Sequence, residues 1–203
     1  MSTEKSTARR YNKRRRAELE DETRLRITEA AVDLHGSLGP AKTTISAVAE
    51  RAGVQRATVY RHFPDEEALF GACSAHWLSQ HPLPHLAGWA AIGDHEERLR
   101  NALSELYAWY ENGEEMLERT TRDATLVPAM RTAVGLRRAW LAEAAATIVR
   151  GRRERGARRR RVEAAVGHAV SFSTWRSLVR EQGLSDAQAV DLMQGMVALA
   201  AGK

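Results

Sequence analysis

In the run Gln55-Arg56-Ala57-Thr58-Val59-Tyr60-Arg61-His62-Phe63, hydrogen-bonding side chains surround an apolar pair at helical spacing. Val59 and Phe63, four residues apart, share one side of a helix and can anchor it inward. Arg56, Thr58, Arg61 and the tips of Tyr60 and His62 are then left to face outward. Arginine can pair bidentately with guanine, and threonine can bond a base edge or pack on a thymine methyl. Tyrosine and histidine can donate to phosphate. The chemistry available is that of reading a nucleic-acid duplex.

Such a segment needs a partner that holds it, and the preceding residues supply one. Thr43 or Thr44 caps a short helix that carries Ile45, Val48 and Ala49 inward and ends at Ala52-Gly53. Two short helices joined by a tight glycine-containing turn form a helix-turn-helix, whose second helix enters the major groove. Before it, Ile27, Ala30, Ala31, Leu34 and Leu38 form the stripe of a helix from about Asp21 to Ser37. After it, Asp65 caps a helix to about Ser79, with Glu66 and Glu67 at its positive end.

Apolar residues recur at helical spacing almost throughout, without an alternating strand run, so the fold class is all-α, with about nine helices. Beyond a Pro/His linker the spacing predicts helices over about His95–Asn112, Glu114–Ala124, Pro128–Val149, Ala157–Gln182 and Ser185–Ala201. The last has two apolar sides: Val190, Met193, Val197 and Ala200 on one, Ala189, Leu192, Met196 and Leu199 on the other. One side serves its own core, and the other is left for a second subunit. The expected division is a disordered basic arm over 1–17, a helix-turn-helix domain over 18–64 and a helical ligand-binding and dimerisation domain over 65–203.

The 203 residues carry a formal charge of +5. It is segregated: the first 64 residues are net +5, residues 65–149 net −6, and the remainder net +6. That distribution favours localised contact with a polyanion. One basic cluster is Lys5, Arg9, Arg10, Lys13, Arg14, Arg15 and Arg16, in a tail with almost nothing apolar. The other comprises Arg150, Arg152, Arg153, Arg155 and Arg158 to Arg161, interrupted by Gly151 and Gly156. A single cysteine, Cys73, excludes an intramolecular disulfide framework and fits a reducing cytoplasm. The uncharged stretch from Ala68 to Gly93 holds three histidines and two prolines and is no membrane span. The first eighteen residues lack the apolar core of a secretory signal.

The run from Thr43 to Val54, followed by Ala57-Thr58-Val59-Tyr60-Arg61-His62-Phe63-Pro64 and Leu69, resembles the DNA-binding domain of the TetR family of transcriptional repressors. The ending Trp175-Arg176-Ser177-Leu178, Gly183-Leu184-Ser185-Asp186 and Ala189-Val190 is similar to the last two helices of many members. The resemblance implies an all-helical homodimer, joined through those helices, that binds a palindromic duplex operator and is released by a small hydrophobic effector. It puts phosphate contacts on Thr44, Tyr60 and His62, and base reading on Arg56, Ala57, Thr58 and Arg61, with Gln55 beginning the recognition helix. Glu66 stands where members place a phosphate-gripping lysine, so no contact is assigned to it. The arm, through Arg14, Arg15 and Arg16, can follow the phosphate backbone or enter the minor groove.

Trp89, Tyr107, Trp109, Tyr110, Met116, Met130, Trp140, His168, Phe172 and Trp175 are the candidates for lining an effector pocket. Cys73, His76, His81, His85 and His95 pose the alternative of a metal-responsive regulator, but their spacing assigns no metal site, and no cofactor is expected. No P-loop, nucleophile elbow, dinucleotide fingerprint or zinc-protease helix is present, so no enzyme is expected. A non-specific nucleic-acid binder driven by the arginine clusters is the other alternative.

Overall fold

The computed structural model describes residues 2–202, with side chains from residue 11 onward. The side chains of Lys5, Arg9 and Arg10 lie outside the described residues. In chain order the elements are α1 (Ser2–Ser37), a 3-10 turn (Pro40–Lys42), α2 (Ile45–Arg51), α3 (Arg56–His62), α4 (Glu66–Gln80), α5 (Leu86–Ala91), α6 (His95–Asn112) and α7 (Glu114–Asp123). A second 3-10 turn (Pro128–Met130) leads to α8 (Arg131–Val149), α9 (Gly156–Ala169), α10 (Phe172–Arg176), a π turn (Ser177–Glu181) and α11 (Asp186–Ala201). No strand occurs among the described residues, so the fold is all-α.

The chain divides into two units, Met1–Gln80 with Arg119–Thr132, and His81–Glu118 with Ala133–Lys203. In the first, Ile27, Ala30 and Ala31 of α1 meet Val48 and Ala49 of α2, Val59 of α3, Phe63, and Leu69 and Cys73 of α4. Those from α1, α2 and α3, with Phe63, are positions that periodicity assigns inward, because burial of an apolar stripe is what stabilises short helices. Leu38 departs from its expected inward place and stands 45% exposed, since α1 ends at Ser37 and the chain turns at Gly39. The first helix also begins far earlier than Asp21. The segment expected to be a disordered arm continues α1, and the ion pairs Arg14–Glu18 and Arg16–Glu20 have the spacing that supports a solvated helix.

In the second unit, the helix expected over Ala157–Gln182 is broken after Ala169. The hydroxyls of Tyr107 and Tyr110 on α6 donate to the carbonyls of Ala169 and Val170. These carbonyls are thereby satisfied without continuing the helical ladder, and the chain restarts as α10 behind Ser171. The expected Pro/His linker contains α5, which buries Trp89. Arg98 of α6 donates to the carbonyls of Trp89 and Ile92, both at 3.1 Å, and so caps the end of α5. Along α11, Ala189, Val190, Met193 and Val197 are buried, while Leu192, Met196 and Leu199 are exposed.

Candidate nucleic-acid interface

The Thr44 hydroxyl accepts the Ala47 N–H at 3.1 Å and starts α2. At its other end Gly53 adopts φ +66°, a left-handed turn that leaves room for the chain to reverse into α3. Gln55 occupies the N-cap position of α3 without a side-chain capping bond. Val59 is fully buried and Phe63 1% exposed, so α3 is fastened along one face as its spacing predicts. Arg56, Ala57, Tyr60 and Arg61 are exposed, with Thr58 half-buried. Thr44 and Gln55 are exposed as well.

His62 sits differently. It is half-buried, and its Nε2 is shut off from solvent without a hydrogen-bond partner among the described residues. Burial, followed by the charges of Arg61 and Arg24, holds its pKa below the ordinary histidine value, and Glu20 pulls the other way. Arg14, Arg15 and Arg16 are exposed on α1, two of them paired with glutamates one turn on.

Two further residues bear on this surface and escape local sequence reasoning. Arg24 of α1 donates to the His62 carbonyl and lies 4.1 Å over the Phe63 ring. Arg51, at the end of α2, pairs with Asp33 of α1 at 2.7 Å. The partners are 38 and 18 positions apart, so no spacing rule points to them.

The candidate effector-pocket residues are dispersed. Met130 belongs to the first unit, where it is buried on its 3-10 turn. In the second, Tyr107, Tyr110, Phe172 and Trp175 form one closed aromatic cluster with ring separations of 5.4 to 6.4 Å. Their polar tips are all used internally, the Trp175 Nε1 donating to Asp186 at 2.8 Å. Trp89 is buried and donates to Glu105, with its ring 6.1 Å from half-buried Trp140. Trp109 is half-buried and donates to the His81 carbonyl, Met116 is half-buried, and His168 is exposed near the Thr174 hydroxyl. A cavity of about 40 Å³ in the first unit, lined by His35, Thr43, Val48, Leu69 and Phe70 among others, has room for water rather than an organic ligand.

Cys73 is buried, its thiol donates to the Thr28 carbonyl at 3.7 Å, and desolvation pushes its pKa up to about 12. Among the described residues no three His, Cys, Asp or Glu side chains gather where a metal could be held. None of their helices is long and apolar enough to cross a membrane.

A helix-turn-helix with a donor-rich, solvent-facing second helix, set in an all-helical chain, defines a DNA-binding regulator of transcription. Residues 27–73 match the sequence model of the bacterial regulatory proteins of the tetR family. The matched segment runs from α1 into α4 of the chain. The chain's fold is similar to a TetR-like transcriptional regulator from Rhodococcus sp. RHA1, with 19% identity, TM-score 0.59, and coverage of 89% of this chain and 97% of that one. A TetR family regulator from Marinobacter aquaeolei VT8 gives 19% identity, TM-score 0.57, and coverage of 91% and 97%. The transcriptional regulator FadR from Bacillus subtilis, solved with stearoyl-CoA, gives 16% identity, TM-score 0.55, and coverage of 87% and 97%. No curated protein matches.

Proposed function

We propose that the chain is a homodimeric repressor that reads a palindromic operator through α3 and is released from it by a small hydrophobic effector. The observation that carries the reading is the two-sided character of α3. Val59 and Phe63 hold it in the core, and Arg56, Ala57, Tyr60 and Arg61 face solvent. Arg56, Ala57, Thr58 and Arg61 meet base edges, while Thr44 and Tyr60 meet phosphate and Gln55 borders them. His62 offers its Nδ1 to the backbone, and Arg14, Arg15 and Arg16 add contacts from α1.

The second copy joins through the last two helices of the chain, α9 with the segment after it and α11. The exposed Leu192, Met196 and Leu199 give α11 an apolar face suited to that contact. Two recognition helices related by a twofold axis then meet successive major grooves about 34 Å apart. The functional division remains an arm over 1–17, a reader over 18–64 and a regulatory part over 65–203. FadR, solved with stearoyl-CoA, supports the hydrophobic effector, since a protein of this fold accommodates a long acyl chain. The aromatic residues of the second unit supply suitable walls once the closed cluster around Tyr110 parts.

Selection of bound fragments from random duplexes tests the reading. A recovered inverted repeat, bound at least about a thousandfold more tightly than unrelated duplexes, is expected. Equal affinity for unrelated duplexes would instead establish a non-specific binder driven by the arginine clusters.

A further inference from the structure

We propose that Arg24 is a positioning residue for DNA reading, a clamp that sets the orientation of the recognition helix from its C-terminal end; this rests on α3 being the reading element. The structure fastens α3 unevenly. At the N-terminus Gln55 makes no side-chain capping bond. In the middle Val59 is held by apolar contact alone, and such packing is non-directional: it resists withdrawal of a seven-residue helix more strongly than its rotation.

Directional restraint enters at the other end. The Arg24 guanidinium donates to the His62 carbonyl, one of the terminal carbonyls a helix leaves without an internal partner. The same planar group lies 4.1 Å over the ring of Phe63, the residue that closes α3 and is almost wholly buried. Its charge stands at the negative pole of α3, where a cation is favoured. Hydrogen bond, ring stacking and charge thus act on one turn from a side chain on α1. Register on α1 is itself supported there, because the Thr28 hydroxyl donates to the Arg24 carbonyl at 3.0 Å. Arg61 and Tyr60 belong to that same last turn, so their direction toward a duplex depends on it.

A planar fork that both stacks and bonds is not replaced by an ammonium, and this separates a clamp from a simple phosphate contact. The test compares the full-length chain with Arg24→Ala, Arg24→Lys and Arg56→Ala on two duplexes, the selected operator and a scrambled duplex of equal length and composition. All measurements are made well below each protein's melting temperature. Arg24→Ala is expected to lose about tenfold in operator affinity with a smaller loss on scrambled DNA, and Arg24→Lys to recover little of it. Full recovery by Arg24→Lys with equal losses on both duplexes would show a phosphate contact and overturn the clamp. So would a lowered melting temperature with operator affinity unchanged. Failure of the underlying reading is seen separately: if Arg56→Ala leaves operator preference intact, α3 does not read bases and the Arg24 role falls with it.

Discussion

Asp123 accepts the backbone N–H of Ala41 at 2.9 Å across 82 positions of sequence. Its carboxylate is only 2% exposed and is also bound by Arg122 Nε at 2.7 Å. Arg119 donates to the Ser37 carbonyl and Arg122 to the Leu38 carbonyl, so the turn between α1 and the helix-turn-helix is gripped along its backbone. Gly39 makes the close approach feasible. It adopts φ +93°, and a Cβ there would stand 2.3 Å from Arg122 Nη2 and 2.6 Å from Asp123 Oδ2.

Asp123→Ala should destabilise the DNA-binding unit by about 2 kcal/mol, because the Ala41 N–H and the Arg122 guanidinium both lose a buried, charged acceptor. Gly39→Ala should cost a similar amount, about 2 kcal/mol, through backbone strain and displacement of the carboxylate. Urea unfolding followed by circular dichroism checks both. The hydrogen bond from Arg122 leads the causes that hold the Asp123 carboxyl below its ordinary value. Its contribution is therefore complete above the unfolded carboxylate pKa and is lost as pH falls through the lower folded value.

His35 gives the same unit a second acid dependence at higher pH. Burial lowers its pKa from 6.5 to about 4, and its ring lies 5.1 Å from that of Phe70. Between these values the unfolded chain is protonated and the folded one is not, so stability falls as pH drops from 6.5 toward 4, by up to about 3 kcal/mol. A His35→Phe variant should show a flatter melting-temperature profile across that window. An identical profile would remove His35 as its source.

Single substitutions on α3 should separate reading from gripping. Arg56→Ala is expected to cost about 1 to 3 kcal/mol on the operator and relax preference at one base position, while Tyr60→Phe weakens all duplexes alike. Titrations against a panel of single-base operator variants distinguish the two patterns.

Removal of residues 2–16 should weaken operator binding and reduce the slope of log affinity against log salt, since each phosphate that the protein neutralises adds about 0.9 to the steepness of that slope. Arg24 of α1 bonds the His62 carbonyl, so α1 passes the C-terminal end of α3 and its basic start lies N-terminal to that point along the helix. An unchanged slope would show that Arg14, Arg15 and Arg16 make no backbone contact.

In the second unit, Tyr110→Phe should lower stability by about 1 to 3 kcal/mol, because the Val170 carbonyl would lose its buried donor. Differential scanning calorimetry provides the measurement. Burial raises the pKa of both Tyr107 and Tyr110 well above the ordinary tyrosine value, so neither should ionise before the fold opens in alkali. Absorbance at the phenolate band against pH follows that transition.

The outward side of the helix-turn-helix was legible in sequence, because helical periodicity and capping act within one turn. Val59 and Phe63 mark the inner side of α3, Thr44 marks the start of α2, and the outer side follows from both. Neither the break after Ala169 nor the closed cluster around Tyr110 could be read so, since each depends on hydroxyls of α6 bonding carbonyls 62 and 60 positions away. The same is true of Arg24 on His62 and of Asp123 on Ala41. Side-chain type and local spacing determine which face of a helix prefers water. Which distant donor meets which carbonyl is decided only when the packed helices bring them together.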